Sequence, residues 1–180
     1  MRGRARRGLA LAALLTAAVT ASGCARLAYN FATIEEGRVY RSAQPSPWFL
    51  RWLRAGPEIR TLVNLRGDTP GWESAFAARN EMRLFVFDLS ASRPPTERDV
   101  ERFLSILRDE ANYPLLVHCR NGVDRTGYML ALYRVQEQGW DAERAAGEMN
   151  RFLQFSWLNA VPQQVVKDGL RRPAKRPPGP

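Results

Sequence analysis

Histidine is almost missing from this 180-residue chain, which carries only His118, and cysteine is limited to Cys24 and Cys119. One histidine and one non-terminal cysteine cannot complete the four-ligand shell of a structural zinc site, so no metal is predicted. The two cysteines fall in different segments, one N-terminal and one in the body of the chain, and no disulfide is predicted. Long apolar runs are also lacking. The Ala/Leu stretch Leu9–Val19 is too short for a helix that spans a bilayer, which needs about 20 apolar residues. Acids are outnumbered, 18 to 27, for a net charge of +9. Arg2, Arg4, Arg6 and Arg7 supply four of those charges and Arg171, Arg172, Lys175 and Arg176 another four, so nine less eight leaves a body near +1. The arginines of that body alternate with acids along helical faces, as on a solvated surface, and no nucleic-acid partner is predicted.

The N-terminus is organised as a targeting segment. Residues 1–8 are basic, an apolar stretch follows, and Ala21-Ser22-Gly23-Cys24-Ala25 is a run of small residues. Residues 1–23 thus read as an export signal. Ser22-Gly23-Cys24 resembles a bacterial lipobox, although Ala21 stands where leucine is preferred. That resemblance implies that Cys24 is lipidated and becomes the mature N-terminus, anchoring the protein to a membrane on the periplasmic side. A cleaved, soluble periplasmic form is the alternative. Residues 24–38 read as a linker, 39–168 as one folded domain, and 169–180 as a disordered tail rich in Pro and basic residues.

Within the domain, short apolar runs alternate with helical patterns. Val39-Tyr40-Arg41 reads as an edge strand, with turns at Gln44–Pro47. Strands are predicted at Thr61–Leu65, Leu84–Phe87 and Leu115–Val117. Helices are predicted from Trp48 to a stop at Gly56-Pro57, from Gly71 to Asn80, after Thr96, from Tyr128 to a stop at Gly139, and after Asp141. Thr96 and Asp99 have the spacing of a capping box, and Val100, Phe103, Leu104 and Leu107 form an apolar stripe. Tyr128–Gln138 is apolar on nearly every side and reads as a central buried helix. Ala142, Ala145, Ala146, Met149, Phe152 and Leu153 form the inner face of the last helix. The fold class is α/β: a mainly parallel sheet of four to five strands with helices on both faces. Sites in such folds lie at the carboxyl ends of the strands, which puts Arg66-Gly67-Asp68, Asp88 and residues 118–125 on one side.

The chemistry concentrates in Val117-His118-Cys119-Arg120-Asn121-Gly122-Val123-Asp124-Arg125-Thr126-Gly127. A loop leading from a strand into a helix N-terminus gathers unpaired N–H groups and the positive end of the helix dipole, which together attract an anion. A cysteine there is favoured as thiolate. Gly122 allows the backbone to curl, and the fork of Arg125 can hold two phosphate oxygens. The pattern suits in-line attack by Cys119 on a phosphoryl group.

These residues resemble the Cys-x5-Arg signature of the protein tyrosine and dual-specificity phosphatase superfamily, and the resemblance extends to Tyr40–Phe152. Tyr40-Arg41-Ser42-Ala43-Gln44-Pro45 and Asn64-Leu65-Arg66-Gly67 are similar to segments of bacterial members. The resemblance implies that Cys119 is the nucleophile and that residues 120–125 bind phosphate, through Arg120, Asn121, Gly122, Val123, Asp124 and the clamp Arg125. It also implies that Thr126 assists the departing thiolate, that His118 orients the loop, and that no cofactor is used. In that superfamily an aspartate about thirty residues before the cysteine is the general acid. Asp88 is at that distance, on a loop holding Pro94-Pro95, and Asp68 is the runner-up. Asp99 is assigned to helix-start electrostatics.

Asp124 is atypical for many protein-directed members and resembles the myotubularin-like loops and those of some bacterial lipid and protein phosphatases. Phosphotyrosine, phosphoinositide and other phosphorylated small molecules therefore all stay open as substrates. A phosphate-binding module without turnover would suit an exported cysteine exposed to oxidation. Rhodanese-like sulfur transfer is disfavoured by the loop length and by Thr126.

Overall fold

The computed structural model describes residues 27–90 and 93–150. The export segment, Cys24, Phe152, Leu153 and the basic tail lie outside the described residues. Five strands, β1 (Ala32–Glu35), β2 (Val39–Ser42), β3 (Thr61–Asn64), β4 (Arg83–Val86) and β5 (Leu115–His118), form one sheet in the order β1-β2-β5-β3-β4. All neighbours are parallel except β1 and β2. The helices are α1 (Pro47–Ala55), α2 (Gly71–Arg79), α3 (Glu97–Arg108), α4 (Asp124–Gln136) and α5 (Ala142–Asn150).

β5 sits in the middle of the sheet, and all four of its residues are buried. Its side chains alternate between faces, as pleating requires. Leu115 and Val117 join one core with residues of α3, α4 and α5, while Leu116 joins the other with residues of α1 and α2. This is the expected parallel sheet covered on both faces, and it aims the carboxyl end of β5 at one rim of the molecule.

The edge assignment changes. β2, read from sequence as an edge strand, pairs with β1 on one side and β5 on the other. The edge is β1, an antiparallel strand inside the segment read as a linker. Its burial is partial, whereas every residue of β2 is buried, Arg41 included. The arginine made Val39–Ser42 look half-solvated, but its charge is used inside the molecule.

Local signals set the helix starts. Ser46 Oγ accepts from the Phe49 N–H at 3.2 Å, with Pro47 opening α1. Thr96 and Asp99 form the reciprocal capping box of α3, worth about 1 kcal/mol. Asp141 Oδ1 accepts from the Arg144 N–H at 2.8 Å. α4 begins at Asp124, earlier than the predicted Tyr128, because the last residues of the Cys-x5-Arg motif are already helical. It ends at Gln136, before Gly139, which takes φ +68° in the following turn. α5 packs closely on α4: a Cβ on Gly127 would lie 3.2 Å from Met149 Cε.

Candidate active site

β5 delivers His118 and Cys119 to the rim, and residues 120–123 wrap into the first turn of α4. Cys119 is a free thiol, 2% exposed. Its Sγ accepts the Gly122 N–H at 3.2 Å, a contact of the kind that stabilises a thiolate. Gly122 has φ +66°, and a Cβ there would lie 2.5 Å from Ser42 C, Ser42 O and Ala43 N. Glycine is thus demanded by the exit of β2, against which the loop is pressed, as well as by the curl of the backbone.

Side chains outside the loop hold its shape. Arg41 Nη2 donates to the Gly122 carbonyl, and Asn30 Nδ2 donates to the same oxygen at 3.2 Å and to the Asn121 carbonyl at 3.4 Å. The Gln44 N–H donates to the Arg120 carbonyl at 3.1 Å. The side chains of Arg120 and Asn121 are exposed, Val123 is buried, and the Val123 carbonyl accepts the Gly127 N–H at 2.7 Å. Arg125 stands in the first turn of α4, with Nη1 3.2 Å from the Leu89 carbonyl. Thr126 is fully buried and its hydroxyl makes no hydrogen bond among the described residues. Asp124 is half-buried. Desolvation raises its pKa, against the lowering effects of its own backbone N–H and of Arg125.

His118 is backed by a second layer. Its Nε2 lies 2.9 Å from Glu73 Oε1, and both side chains are completely buried. That is ion-pair distance, but the ring N–H is not aimed at the oxygen in hydrogen-bond geometry. Glu73 accepts further bonds from Gln44 Nε2 at 3.0 Å and Asn64 Nδ2 at 3.1 Å. Arg66 Nη1 donates to Gln44 Oε1 at 3.0 Å, which ties the exits of β2 and β3 together.

The two aspartates offered as general acid differ in their commitments. Asp68 is held by Arg66 through two contacts, Nη2 to Oδ2 at 2.6 Å and Nε to Oδ1. Asp88 is exposed and forms an isolated backbone bridge with Arg66. Its carboxylate lies across Gly67, where φ is +84° and a Cβ would sit 3.0 Å from Asp88 Cγ. The bond from Arg125 to Leu89 brings the segment after Asp88 onto the 119–125 loop. Asp99 is engaged in the α3 cap, as predicted.

Sequence reasoning had assigned no roles to Arg41, Gln44, Asn64 and Glu73. A signal existed for the first three, which fall in the two family-like segments. Glu73 had none, because an acid in the first turn of a helix is ordinary. Among the described residues no group of three or more His, Cys, Asp or Glu converges as a metal site.

Comparisons with known proteins agree with this geometry. Over 117 residues the chain is 32% identical to the dual specificity protein phosphatase TpbA of Pseudomonas aeruginosa, covering 63% of this chain and 50% of that one. It is 27% identical over 128 residues to the inositol diphosphatase DSP4 of Arabidopsis thaliana, covering 68% and 63%. The chain therefore spans about half to two thirds of the length of these relatives. In structure, the TpbA crystal structure matches with TM-score 0.66 at 25% identity, over 80% of this chain and 89% of that one. The catalytic core of the Saccharomyces cerevisiae phosphatase SIW14 shares the fold, with TM-score 0.67 at 23% identity over 79% and 84%. A family model described as a DSP-PTPase phosphatase fused to NAD+ kinase matches residues 18–167, most of the chain. The strand, phosphate loop and helix built around Cys119 and Arg125 are thus those of the DSP-PTPase phosphatase family, to which this chain belongs.

Proposed function

We propose that the chain hydrolyses phosphate monoesters without a metal, through a cysteinyl-phosphate intermediate. The observation that carries this reading is the Cys119 sulfur at the floor of the loop, contacted by the Gly122 N–H, with Arg125 in the adjoining helical turn. The backbone amides and the Arg125 fork hold the phosphoryl oxygens while the thiolate attacks phosphorus. The S–P bond forms as the ester P–O bond breaks, and Asp88 gives its proton to the leaving oxygen. Water then attacks phosphorus and Asp88 takes a proton from it. The S–P bond breaks, returning the thiolate and inorganic phosphate. The uncommitted hydroxyl of Thr126 is available to the departing sulfur.

The rim supports a broad phosphomonoesterase of dual-specificity character over an enzyme for highly anionic substrates. Arg66 is offset by Asp68, and the half-buried Asp124 and the exposed Asp88 are further acids to set against the exposed Arg120. The test is hydrolysis of p-nitrophenyl phosphate with and without EDTA. Activity should be insensitive to EDTA and should fall at least about a thousandfold in Cys119→Ser. Full activity in that variant, or loss of activity with EDTA, would overturn the mechanism. A screen of phosphotyrosine peptides, phosphoinositides and inositol polyphosphates at equal concentration then ranks the substrates.

We also propose export and lipidation at Cys24, supported by the sequence of residues 1–25 alone. Mass spectrometry of the mature protein should find an acylated Cys24 as the first residue. An unprocessed Met1, or cleavage elsewhere, would refute it.

A further inference from the structure

Glu73 occupies a core-facing position of α2. It stands one helical turn before Ala77, and those two are the buried residues of that helix. Ala77 joins the core with Leu62 of β3 and Leu116 of β5, while Glu73 itself is completely buried. An acid near a helix start is ordinary when solvated, but one removed from water is costly unless polar partners enclose it. Those partners come from three segments. Oε1 accepts from Nε2 of Gln44, just past β2, at 3.0 Å, and lies 2.9 Å from Nε2 of His118, the last residue of β5. Oε2 accepts from Nδ2 of Asn64, the last residue of β3, at 3.1 Å. Ser42 and Asn64 are the register partners of His118, so pairing of the strands already sets these ends side by side.

The contacts of Glu73 lead to both sides of Cys119. His118 precedes the cysteine directly. Gln44, whose side chain meets Glu73, donates its backbone N–H to the carbonyl of Arg120, the residue after Cys119, at 3.1 Å. Gln44 and Asn64 are themselves fixed: Arg66 Nη1 donates to Gln44 Oε1 at 3.0 Å, and Asn64 Oδ1 accepts the Arg66 N–H at 2.9 Å.

We propose that Glu73 is a positioning residue. It clamps the residues on either side of Cys119 and so sets the direction from which the sulfur meets the phosphoryl group. The inference rests on the proposed reading of Cys119 as nucleophile. Stability does not by itself account for a buried acid here, because a buried polar set is often no more stabilising than well-packed apolar residues of the same volume. In-line attack, by contrast, tolerates little error, and a misplacement of about 1 Å can cost about a hundredfold.

The test is steady-state hydrolysis of p-nitrophenyl phosphate by the full chain, well below the melting temperature of each variant. Glu73→Gln keeps the volume but turns one accepting oxygen into a donor, so one contact is lost. Glu73→Asp keeps the carboxylate and withdraws it by one methylene. In both, kcat should fall at least about tenfold while KM stays within about threefold, because the loop amides and Arg125 remain to bind the phosphoryl group. In a double-mutant cycle with His118→Asn, the combined loss of kcat should be smaller than the product of the separate losses, as for residues that act through one another. A role in folding alone would lower the melting temperature and leave kcat of the folded chain unchanged. Wild-type kcat in either variant, or fully multiplicative losses in the cycle, would overturn the proposal. If neither variant at position 73 folds, Gln44→Leu decides by the same kcat and KM, since it cuts one contact and keeps the Gln44 N–H for Arg120. A wild-type chain without activity would overturn the phosphatase reading and this inference with it, whereas an active wild type with unchanged variants overturns the inference alone.

Discussion

Arg125 Nη1 donates to the Leu89 carbonyl across 3.2 Å, joining the first turn of α4 to the residue that follows Asp88. The group assigned to grip phosphate is thereby tied to the segment assigned to deliver a proton. On the proposed function, Nε and Nη2 of the fork can take two phosphoryl oxygens while Nη1 keeps the Leu89 carbonyl, so occupancy of the loop and placement of the segment after Asp88 are coupled.

Arg125→Lys is the first consequence of that coupling. Lysine keeps the charge but has no planar fork, and cannot hold two oxygens and the Leu89 carbonyl together. kcat/KM should fall by about a hundredfold or more, with an unchanged circular dichroism spectrum. A change below threefold would remove the clamp role.

Asp88 and Asp68 are separated by leaving-group dependence. Asp88→Asn should cost about a hundredfold in kcat on alkyl phosphates, which need a proton, and much less on p-nitrophenyl phosphate. Asp68 is already committed to Arg66, so Asp68→Asn should stay within about threefold on both substrates. The reverse ranking would move the acid to Asp68.

Gly122→Ala tests the seating of the loop. The new Cβ would meet the Ser42 and Ala43 backbone at 2.5 Å, and φ +66° is itself strained for alanine. The loss should reach about 2 kcal/mol, lowering the melting temperature by roughly 4–8 °C, and activity should fall as the sulfur loses its N–H. An unaltered melt would show that the loop does not press on β2.

Asp124 gives a pH signature. Burial raises its folded pKa above the unfolded value, so ionising it destabilises the fold. The folded state binds the proton more tightly, and this group's contribution to stability falls as pH rises from the ordinary aspartate range through the raised folded value. Asp124→Asn removes that penalty. Its melting temperature relative to wild type should be more favourable at pH 7 than at pH 4, and an equal difference at both would sink the prediction.

Much of the site was readable without coordinates because its residues are neighbours in sequence. Cys119 through Thr126 lie in one strand–loop–helix unit, and local rules place them. Asp99 was read correctly for the same reason: a capping box spans only three residues. The partners of Arg41, Gln44 and Glu73 were out of reach even though the first two fall in a family-like segment, since Arg41 acts on a carbonyl 81 residues away and Gln44 meets Glu73 29 residues away. The edge assignment failed because a charged residue within a strand normally marks a solvated face, and here the charge points inward at the loop.

The order of residues alone determined the Cys-x5-Arg unit from which the proposed chemistry is read: a cysteine at the end of a strand and, six residues on, an arginine in the first turn of the following helix are brought to one loop by local backbone geometry. It also determined the alternation of strands and helices, through apolar periodicity. Only the tertiary structure decided what surrounds that loop. Parallel pairing of β2 and β3 with β5 sets the exits of three distant segments side by side, placing Arg41 at the Gly122 carbonyl, Glu73 behind His118 and Ser42 against Gly122. Those contacts arise from strand order, which short-range pattern cannot encode.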